Sequence, residues 1–491
     1  MSVDPRQLLL PIPGVNLDAT NGGSIARSQR VFVNRNLPMS IIDWVGFDMD
    51  YTLAIYRQSE MDGLQIELTA ERMIKRGYPS SLKHLAYDTR FPIRGLLVDK
   101  QRGHVLKMDR HKVVHKGYHG LQRLSRDELT ELYHHKRIRP HTPRYHWLDT
   151  LFALSEVAAY AAIVDALEKR AEPIDYERLF ADVRASIDEA HADGTVYRYV
   201  TADLSRFVER DPELARTLHK LRSAGKKLFL LTNSPWSYTD QMMNYLLGNA
   251  MPEYPSWQHY FDVVITSAMK PLWFKEGRPL MERDGEVRKA VRGPLERGRI
   301  YEGGNLLEFE RLVGLRGSSV LYVGDHIFGD ILRSKKESSW RTAMIIQELD
   351  AEIEAHEACQ SDLSRQRALD EGRDRLEDEL RFNQQRFKEL SRTPETNGTQ
   401  NPEKRRVKRA LERLRGELRA IDREHNELGE RIDRSFHPYW GSLLKEQNEM
   451  SMFGLQVEIY SDIYTRRVSC LQAYSPQQFF RSPHDLMPHE L

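Results

Sequence analysis

Two aspartates two residues apart, Asp48 and Asp50, close a short apolar run, Ile41-Ile42-Asp43-Trp44-Val45-Gly46-Phe47. Side chains at i and i+2 of a strand point the same way. The two carboxylates therefore converge at the strand's carboxyl end, where open α/β sheets place their chemistry. One carboxylate of such a pair can attack phosphorus and carry an aspartyl-phosphate. The other can protonate the leaving oxygen and then deprotonate the attacking water. Three further strand ends supply what this chemistry needs. Thr232-Asn233 offers hydroxyl and amide donors to phosphate oxygens. Lys270 offers a compact positive charge for the equatorial oxygens. Asp325, with Asp330 five residues on, offers hard oxygen ligands for Mg2+. A metal is needed because two carboxylates facing a phosphate dianion would otherwise repel it. Gly324 lets the backbone approach closely at that end.

Taken singly, each piece has a plainer reading. The Asp pair is a strand-to-loop turn, as is Gly324-Asp325. Thr232-Asn233 is a helix cap, and Lys270 is a surface lysine. Their joint appearance, in order and each just after an apolar run, is what singles out phosphoryl transfer.

The elements that must position them are legible as apolar runs. Lys227–Leu231, Phe261–Ile265, Val320–Val323 and Thr342–Ile346 join the first run in a predicted five-strand parallel sheet. Arg283-Asp284-Gly285-Glu286 reads as a hairpin tip inserted between strands. After a residue 1–30 arm, the core spans residues 31–56 and 221–350, and residues 57–220 form an insertion. Within the insertion, Arg94–Val98 and His104–Met108 flank a Gly103 turn, and Thr150–Lys169 and Tyr176–His191 read as helices. Residues 351–435 carry a 4-3-4-3 seam: Val407, Leu411, Leu414, Leu418, Ile421, His425, Leu428 and Ile432. A looser seam at Leu369, Leu376, Leu380, Phe387 and Leu390 precedes a helix-breaking tip, Thr393–Gly398, so a coiled-coil-like helical hairpin is expected. Residues 436–491, with an apolar helix-like stretch Phe453–Leu471, pack back on the core.

The totals exclude other classes. Lys+Arg 73 against Asp+Glu 72 gives a net charge of +1, so no global field favours nucleic acid or membrane. Cys359 and Cys470 are too few for a disulfide framework and fit a reducing compartment. No apolar run is long enough to span a bilayer, and Leu8-Leu9-Leu10-Pro11-Ile12 is too short for a signal peptide. A cytoplasmic protein is expected.

Asp48-Met49-Asp50-Tyr51-Thr52, Thr232-Asn233, Lys270 and Gly324 to Asp330 resemble the four motifs of the haloacid dehalogenase superfamily. Val31–Arg35, Gly46–Tyr56, Gly324–Lys336 and the terminal Leu486-Met487-Pro488-His489-Glu490 resemble the cytosolic purine 5′-nucleotidase (IMP/GMP-specific) family, over nearly the whole chain. The resemblance implies an α/β, Rossmann-like core with a mainly helical cap inserted after the first motif. It implies Asp48 as nucleophile, Asp50 as acid and base, and Mg2+ held by Asp48, the Asp50 carbonyl and Asp325, with Thr52 and Asp330 in support. The family hydrolyses 6-hydroxypurine nucleoside monophosphates, and members pass the phosphate to acceptor nucleosides. A homo-oligomer, dimer or tetramer, is also implied.

Arg184, Asp188 and His191 stand at i, i+4 and i+7 on one helix face. The plain reading is a surface ion pair beside a histidine. The sharper reading is a base-reading triad: arginine donates to O6 and N7 of a 6-oxopurine, and Asp188 accepts from N1–H. The three match the family's base-binding pattern, and Phe152 matches its stacking aromatic. Tyr197 stands where the family has a lysine. Phe328 and Lys336 match a nucleotide effector site, but Asp149 replaces its asparagine, and an added carboxylate repels polyphosphate.

Eight of the 18 histidines lie between His104 and His146, yet no carboxylate or cysteine ligand pattern makes His111, His115 and His119 a transition-metal site. Two competing readings remain: a phosphatase of another phosphometabolite with the same mechanism, and a silent scaffold using the helical hairpin.

Overall fold

The computed structural model describes residues 25–134, 138–170, 173–315, 317–392 and 402–483. The arm before residue 25, the Thr393–Gly398 tip and the Leu486–Glu490 tail lie outside the described residues.

One ten-stranded sheet organises the chain. Its order is Phe32–Val33, Ile463–Thr465, Arg341–Ile345, Val320–Gly324, Trp44–Phe47, Lys227–Leu231, Val263–Thr266, Ile300–Gly303, Leu280–Asp284 and Val287–Ala290. The run from Ile463–Thr465 to Ile300–Gly303 is parallel, and the strands outside it are antiparallel. The central strands are buried on both faces, as parallel strands between helical layers must be. One face carries an aromatic cluster of Phe229, Trp273, Phe309, Tyr322 and Trp340. Gly46 is required there, because a Cβ at that position would lie 2.1 Å from the Phe229 ring.

All five expected parallel strands are present. Two more join them, and both were hidden for physical reasons. Ile300–Gly303 is only two apolar residues followed by Glu302 and Gly303. The Phe453–Leu471 stretch is not one helix. It divides into helix Met452–Tyr460, strand Ile463–Thr465 and a 3-10 segment, Val468–Ala473. The break falls at Asp462, whose carboxylate accepts from the Thr342 backbone N–H at 2.9 Å. Only the neighbouring strand supplies that donor, so local periodicity could not foretell it. The Asp284–Val287 hairpin turn is formed, with Gly285 at φ 59°.

The insertion is mainly helical, with helices Gln58–Lys75, Leu154–Glu168 and Tyr176–Ala192 packed together. It also contains an antiparallel sheet, in the order Gln122–Arg123, Val114–His119, His104–Met108, Leu96–Asp99, Tyr145–Trp147. The predicted hairpin lies at the centre of that sheet. The histidines of this region take different partners: His115 meets Asp109 at 2.9 Å, His119 meets Glu168 at 3.1 Å and His104 meets the Tyr133 hydroxyl at 2.8 Å, while the His104 and His119 rings pack edge-on at 5.3 Å between centroids.

Buried polar ties lock the insertion to the rest. Arg94, fully buried, donates to the Asp325 carbonyl at 2.9 Å and pairs with Glu348 at 2.6 Å. Lys107 donates to the carbonyls of Trp440, Ser442 and Lys445 and pairs with buried Glu446 at 2.7 Å. Helices Gln360–Arg392 and Pro402–Phe436 pack as an antiparallel pair, with Arg386–Glu403, Arg413–Glu379 and Arg431–Asp362 ion pairs across it. Leu369, Val407, Leu411, Leu414, Leu428 and Ile432 are its buried seam.

Candidate active site

Strand Trp44–Phe47 lies between Val320–Gly324 and Lys227–Leu231, so three strand ends meet at one edge. Asp48 leaves the first, and its N–H still pairs with Val323. Asp325 leaves the second, and Thr232-Asn233-Ser234 leave the third. Lys270 enters from the loop after Val263–Thr266.

Lys270 is the electrostatic centre. Its Nζ lies 2.9 Å from Asp48 Oδ1, 2.7 Å from Asp330 Oδ1 and 3.0 Å from the Tyr322 hydroxyl. Burial opposes the ammonium, but Asp330 and Asp48 outweigh it and hold its pKa well above the usual lysine range. Asp48 is pushed up to about 8 by burial, with Lys270 opposing and Asp330 and Asp50 adding to the rise. Its Oδ1 also accepts the Met49 N–H at 2.7 Å.

Asp50 is held by two hydroxyls. Ser234 donates to Oδ2 at 2.6 Å and Tyr56 to Oδ1 at 2.6 Å. Burial raises the Asp50 pKa, and these two hydrogen bonds work against the rise. Tyr56 in turn meets the Tyr238 hydroxyl at 2.7 Å, and Tyr238 packs on Tyr197 with ring centroids 4.5 Å apart. A core carboxylate is thus linked to the inserted domain through tyrosines.

Asp48, Asp325 and Asp330 can place one ligand atom each within 4.8 Å of one another, and no other such group of His, Cys, Asp and Glu occurs among the described residues. Asp330 is committed elsewhere: Oδ1 takes Lys270 and Oδ2 accepts the His326 N–H at 3.3 Å. Asp325 differs. Its Oδ2 is buried without a hydrogen-bond partner, and burial with Asp330 and Asp48 nearby raises its pKa well above the carboxylate range. An orphaned carboxylate oxygen among other carboxylates fits a hard divalent cation. Gly324 is needed for this packing, since a Cβ there would come 2.6 Å from Asp330 Cβ.

A model of the 5' nucleotidase family matches residues 31–491. The chain belongs to the 5' nucleotidase family. The 5'-nucleotidase domain-containing protein 2 of Rattus norvegicus is 31% identical over 491 residues, covering 95% of this chain and 81% of that protein. Its counterpart in Homo sapiens is 30% identical, covering 95% and 86%. A solved structure of a predicted phosphoglycolate phosphatase from Haemophilus somnus aligns with 62% of this chain and 86% of its own, at 14% identity and a TM-score of 0.27. That likeness is too slight to carry weight beside the strand order and motif geometry.

In this 5' nucleotidase family member the predicted catalytic and metal residues come together. Asn233 takes a role not foreseen. Its side chain accepts from the Lys270 N–H at 2.6 Å and donates to the Lys270 carbonyl at 2.9 Å, stapling the two loops. Thr232 is fully buried and its Oγ1 accepts the Ser234 N–H at 3.1 Å. Thr52 is buried, its hydroxyl without a partner among the described residues.

The residues expected to read a base all lie on the insertion. Phe152 packs edge-on to Tyr51 at 4.6 Å, and His191 approaches Phe152 at 6.4 Å between ring centroids. Arg184 and Asp188 form a loose 3.9 Å pair, their side chains 50% and 73% exposed. Asp149 Oδ2 stands 3.8 Å from His326 Nδ1, and Phe328 is exposed. The Lys336 side chain lies outside what is described.

Sequence reasoning missed Ser234, Tyr56, Tyr238 and Tyr322. Ser234 carried a local signal, because it completes Thr232-Asn233-Ser234 at a strand end. The tyrosines carried none, since their roles depend on packing between elements distant in sequence.

Proposed function

We propose that this chain is a Mg2+-dependent 5′-nucleotidase that hydrolyses purine nucleoside monophosphates, IMP and GMP preferred, through an aspartyl-phosphate on Asp48. Family membership supports nucleotide phosphate hydrolysis. The observation that carries the mechanism is the convergence of Asp48, Asp50, Lys270 and Asp325 on adjacent strand ends, with Lys270 2.9 Å from Asp48.

Asp48 Oδ1 accepts from both Met49 and Lys270, which leaves Oδ2 as the oxygen that attacks phosphorus. Lys270 and the Thr232 hydroxyl are the chain's own donors for the phosphoryl oxygens, the Ser234 hydroxyl being spent on Asp50. Burial lets Asp50 keep a proton for the leaving 5′-oxygen, after which the carboxylate deprotonates the water that opens the acyl phosphate. Asp48, Asp325 and the Asp50 carbonyl would hold Mg2+, which when bound neutralises the charge shared by phosphate and carboxylates. The covalent intermediate also permits transfer to an acceptor nucleoside. Base preference is assigned to Phe152, Arg184, Asp188 and His191.

Phosphate release from IMP, GMP, AMP and sugar phosphates, with and without Mg2+, tests the reading, with Asp48→Asn as the blank. Equal rates on sugar phosphates would remove the purine assignment and leave a general phosphatase. Turnover surviving in Asp48→Asn would remove the covalent mechanism. We further propose a cytoplasmic homo-oligomer. The two free, buried cysteines fit a reducing compartment, and no described helix is long and apolar enough to cross a membrane. Sedimentation velocity reads the subunit number.

A further inference from the structure

Beside the base-reading residues lie two buried polar atoms that no role yet explains. The Glu156 side chain, on helix Leu154–Glu168, is 8% exposed, and its Oε1 has no hydrogen-bond partner. His146 Nε2 is likewise buried and unpartnered, and it faces Glu156 Oε1 at 3.6 Å. The other ring nitrogen, Nδ1, meets Arg184 Nη1 at 3.1 Å. A guanidinium only donates, so Nδ1 must be the bare acceptor and the ring proton sits on Nε2, aimed at Glu156. The three residues stand in line: Arg184 donates to His146, and the His146 Nε2–H faces Glu156 Oε1 across 3.6 Å, just beyond hydrogen-bond length.

The fold fixes the placement of this chain. His146 sits opposite Val98 in the cap sheet, and its ring packs on Phe180 at 5.0 Å between centroids. Glu156 follows Phe152 by four residues, one helical turn on. Arg184 and Asp188 come from helix Tyr176–Ala192, which also carries Phe180. Glu156 is therefore bracketed by His146, Arg184 and Asp188, one turn along the chain from the expected stacking aromatic. Burial first, then Arg184 and Lys100, holds His146 near pKa 4, so the ring is neutral and can accept from Arg184 at neutral pH.

Arg184 itself is half exposed, and its pair with Asp188 is too long for a hydrogen bond. Without His146 its long side chain would sample many rotamers, and binding a base would have to freeze them. We infer that His146 and Glu156 are positioning residues of the base subsite, holding the Arg184 guanidinium at the edge of a purine ring stacked on Phe152 and so setting which nucleobase is preferred. This rests on the purine reading proposed above.

Steady-state kinetics on IMP, AMP and p-nitrophenyl phosphate, with Mg2+ present, test the inference in His146→Phe, His146→Gln, Glu156→Met, Arg184→Ala and Arg184→Ala/His146→Phe. Phenylalanine keeps the contact with Phe180 and removes the relay. His146→Phe should lower kcat/KM for IMP about tenfold through KM alone, the loss of one charge-assisted hydrogen bond. Its kcat and its p-nitrophenyl phosphate turnover should be unchanged. Glutamine can accept from Arg184 and donate toward Glu156, so His146→Gln should recover most of the loss. Added to Arg184→Ala, His146→Phe should cost nothing more. Glu156→Met replaces an orphaned buried carboxyl by an apolar chain of similar size. It should melt no lower than the parent yet bind IMP more weakly, so a misfolded His146→Phe does not end the test. An IMP-to-AMP ratio shifted by Arg184→Ala but untouched by His146→Phe or Glu156→Met would overturn the positioning role and leave the purine reading standing. A ratio that Arg184→Ala also leaves unmoved would overturn both.

Discussion

The Lys270 ammonium sits between two carboxylates, 2.9 Å from Asp48 Oδ1 and 2.7 Å from Asp330 Oδ1. It offsets the charge around Asp48, the proposed nucleophile, while Asp330 fixes where it stands. Lys270→Met should reduce kcat by about 10²–10³, the usual cost of removing a preorganised charge at developing negative charge. Lys270→Arg should not restore it, because a planar fork cannot replace a compact ammonium in a fully buried slot. Single-turnover rates with IMP measure both.

Asp325 carries the orphaned oxygen, so cation binding should be readable without turnover. Mg2+ at a hundred times its Kd should stabilise the protein by about 2.7 kcal/mol. Asp325→Asn should abolish that thermal shift. Without metal it should melt no lower than the parent, since it removes one of several crowded buried carboxylates. A full Mg2+ shift retained in Asp325→Asn would show that the cation binds elsewhere.

Tyr56 and Ser234 together hold Asp50. Tyr56→Phe removes one of two hydrogen bonds to the acid and should lower kcat for nucleotides by roughly tenfold. Nitrophenolate leaves without help, so formation of the acyl phosphate from p-nitrophenyl phosphate should slow far less. The burst amplitude with each substrate distinguishes the two steps.

Glu446 is fully buried between Lys107 at 2.7 Å and Lys116 at 3.0 Å. Glu446→Gln removes the carboxylate that two buried ammoniums share, while Lys116 keeps Asp433 at 2.8 Å and the Trp440 carbonyl, and should cost about 1–3 kcal/mol. Adding Lys116→Met should recover part of it, because Lys107 keeps three carbonyl partners. Urea midpoints followed by tryptophan fluorescence would report the difference.

Burial, aided by the neighbouring His119, holds His104 near pKa 4, against about 6.5 when unfolded. The unfolded chain therefore binds more protons between those values, and stability rises with pH. The His104 contribution is complete above about pH 6.5 and is lost as pH falls towards about 4, at no more than about 1.4 kcal/mol per unit. His104→Gln should flatten that part of the stability profile. An unchanged slope in the variant would assign the acid sensitivity to other groups.

The sequence by itself determined the parallel core and the charged residues that stand at its strand ends. A buried strand is a local apolar run, and a charged side chain shortly past its end is local too, so the placement of Asp48, Asp50, Lys270 and Asp325 was legible without coordinates. It also determined the long helices, including the Val407–Ile432 seam, because 3.6-residue periodicity is written along one segment.

Only the tertiary structure decided the rest. Strand Ile463–Thr465 exists because Arg341–Ile345 offers it an edge, and helix-like composition concealed it. Asn233 became a staple because the Lys270 loop came to rest against it. Tyr56 reached Asp50, and His146 came between Arg184 and Glu156, through packing across the core and the cap. A side chain's type limits which bonds it can make, but its partners are chosen by distances that exist only once remote segments are folded together.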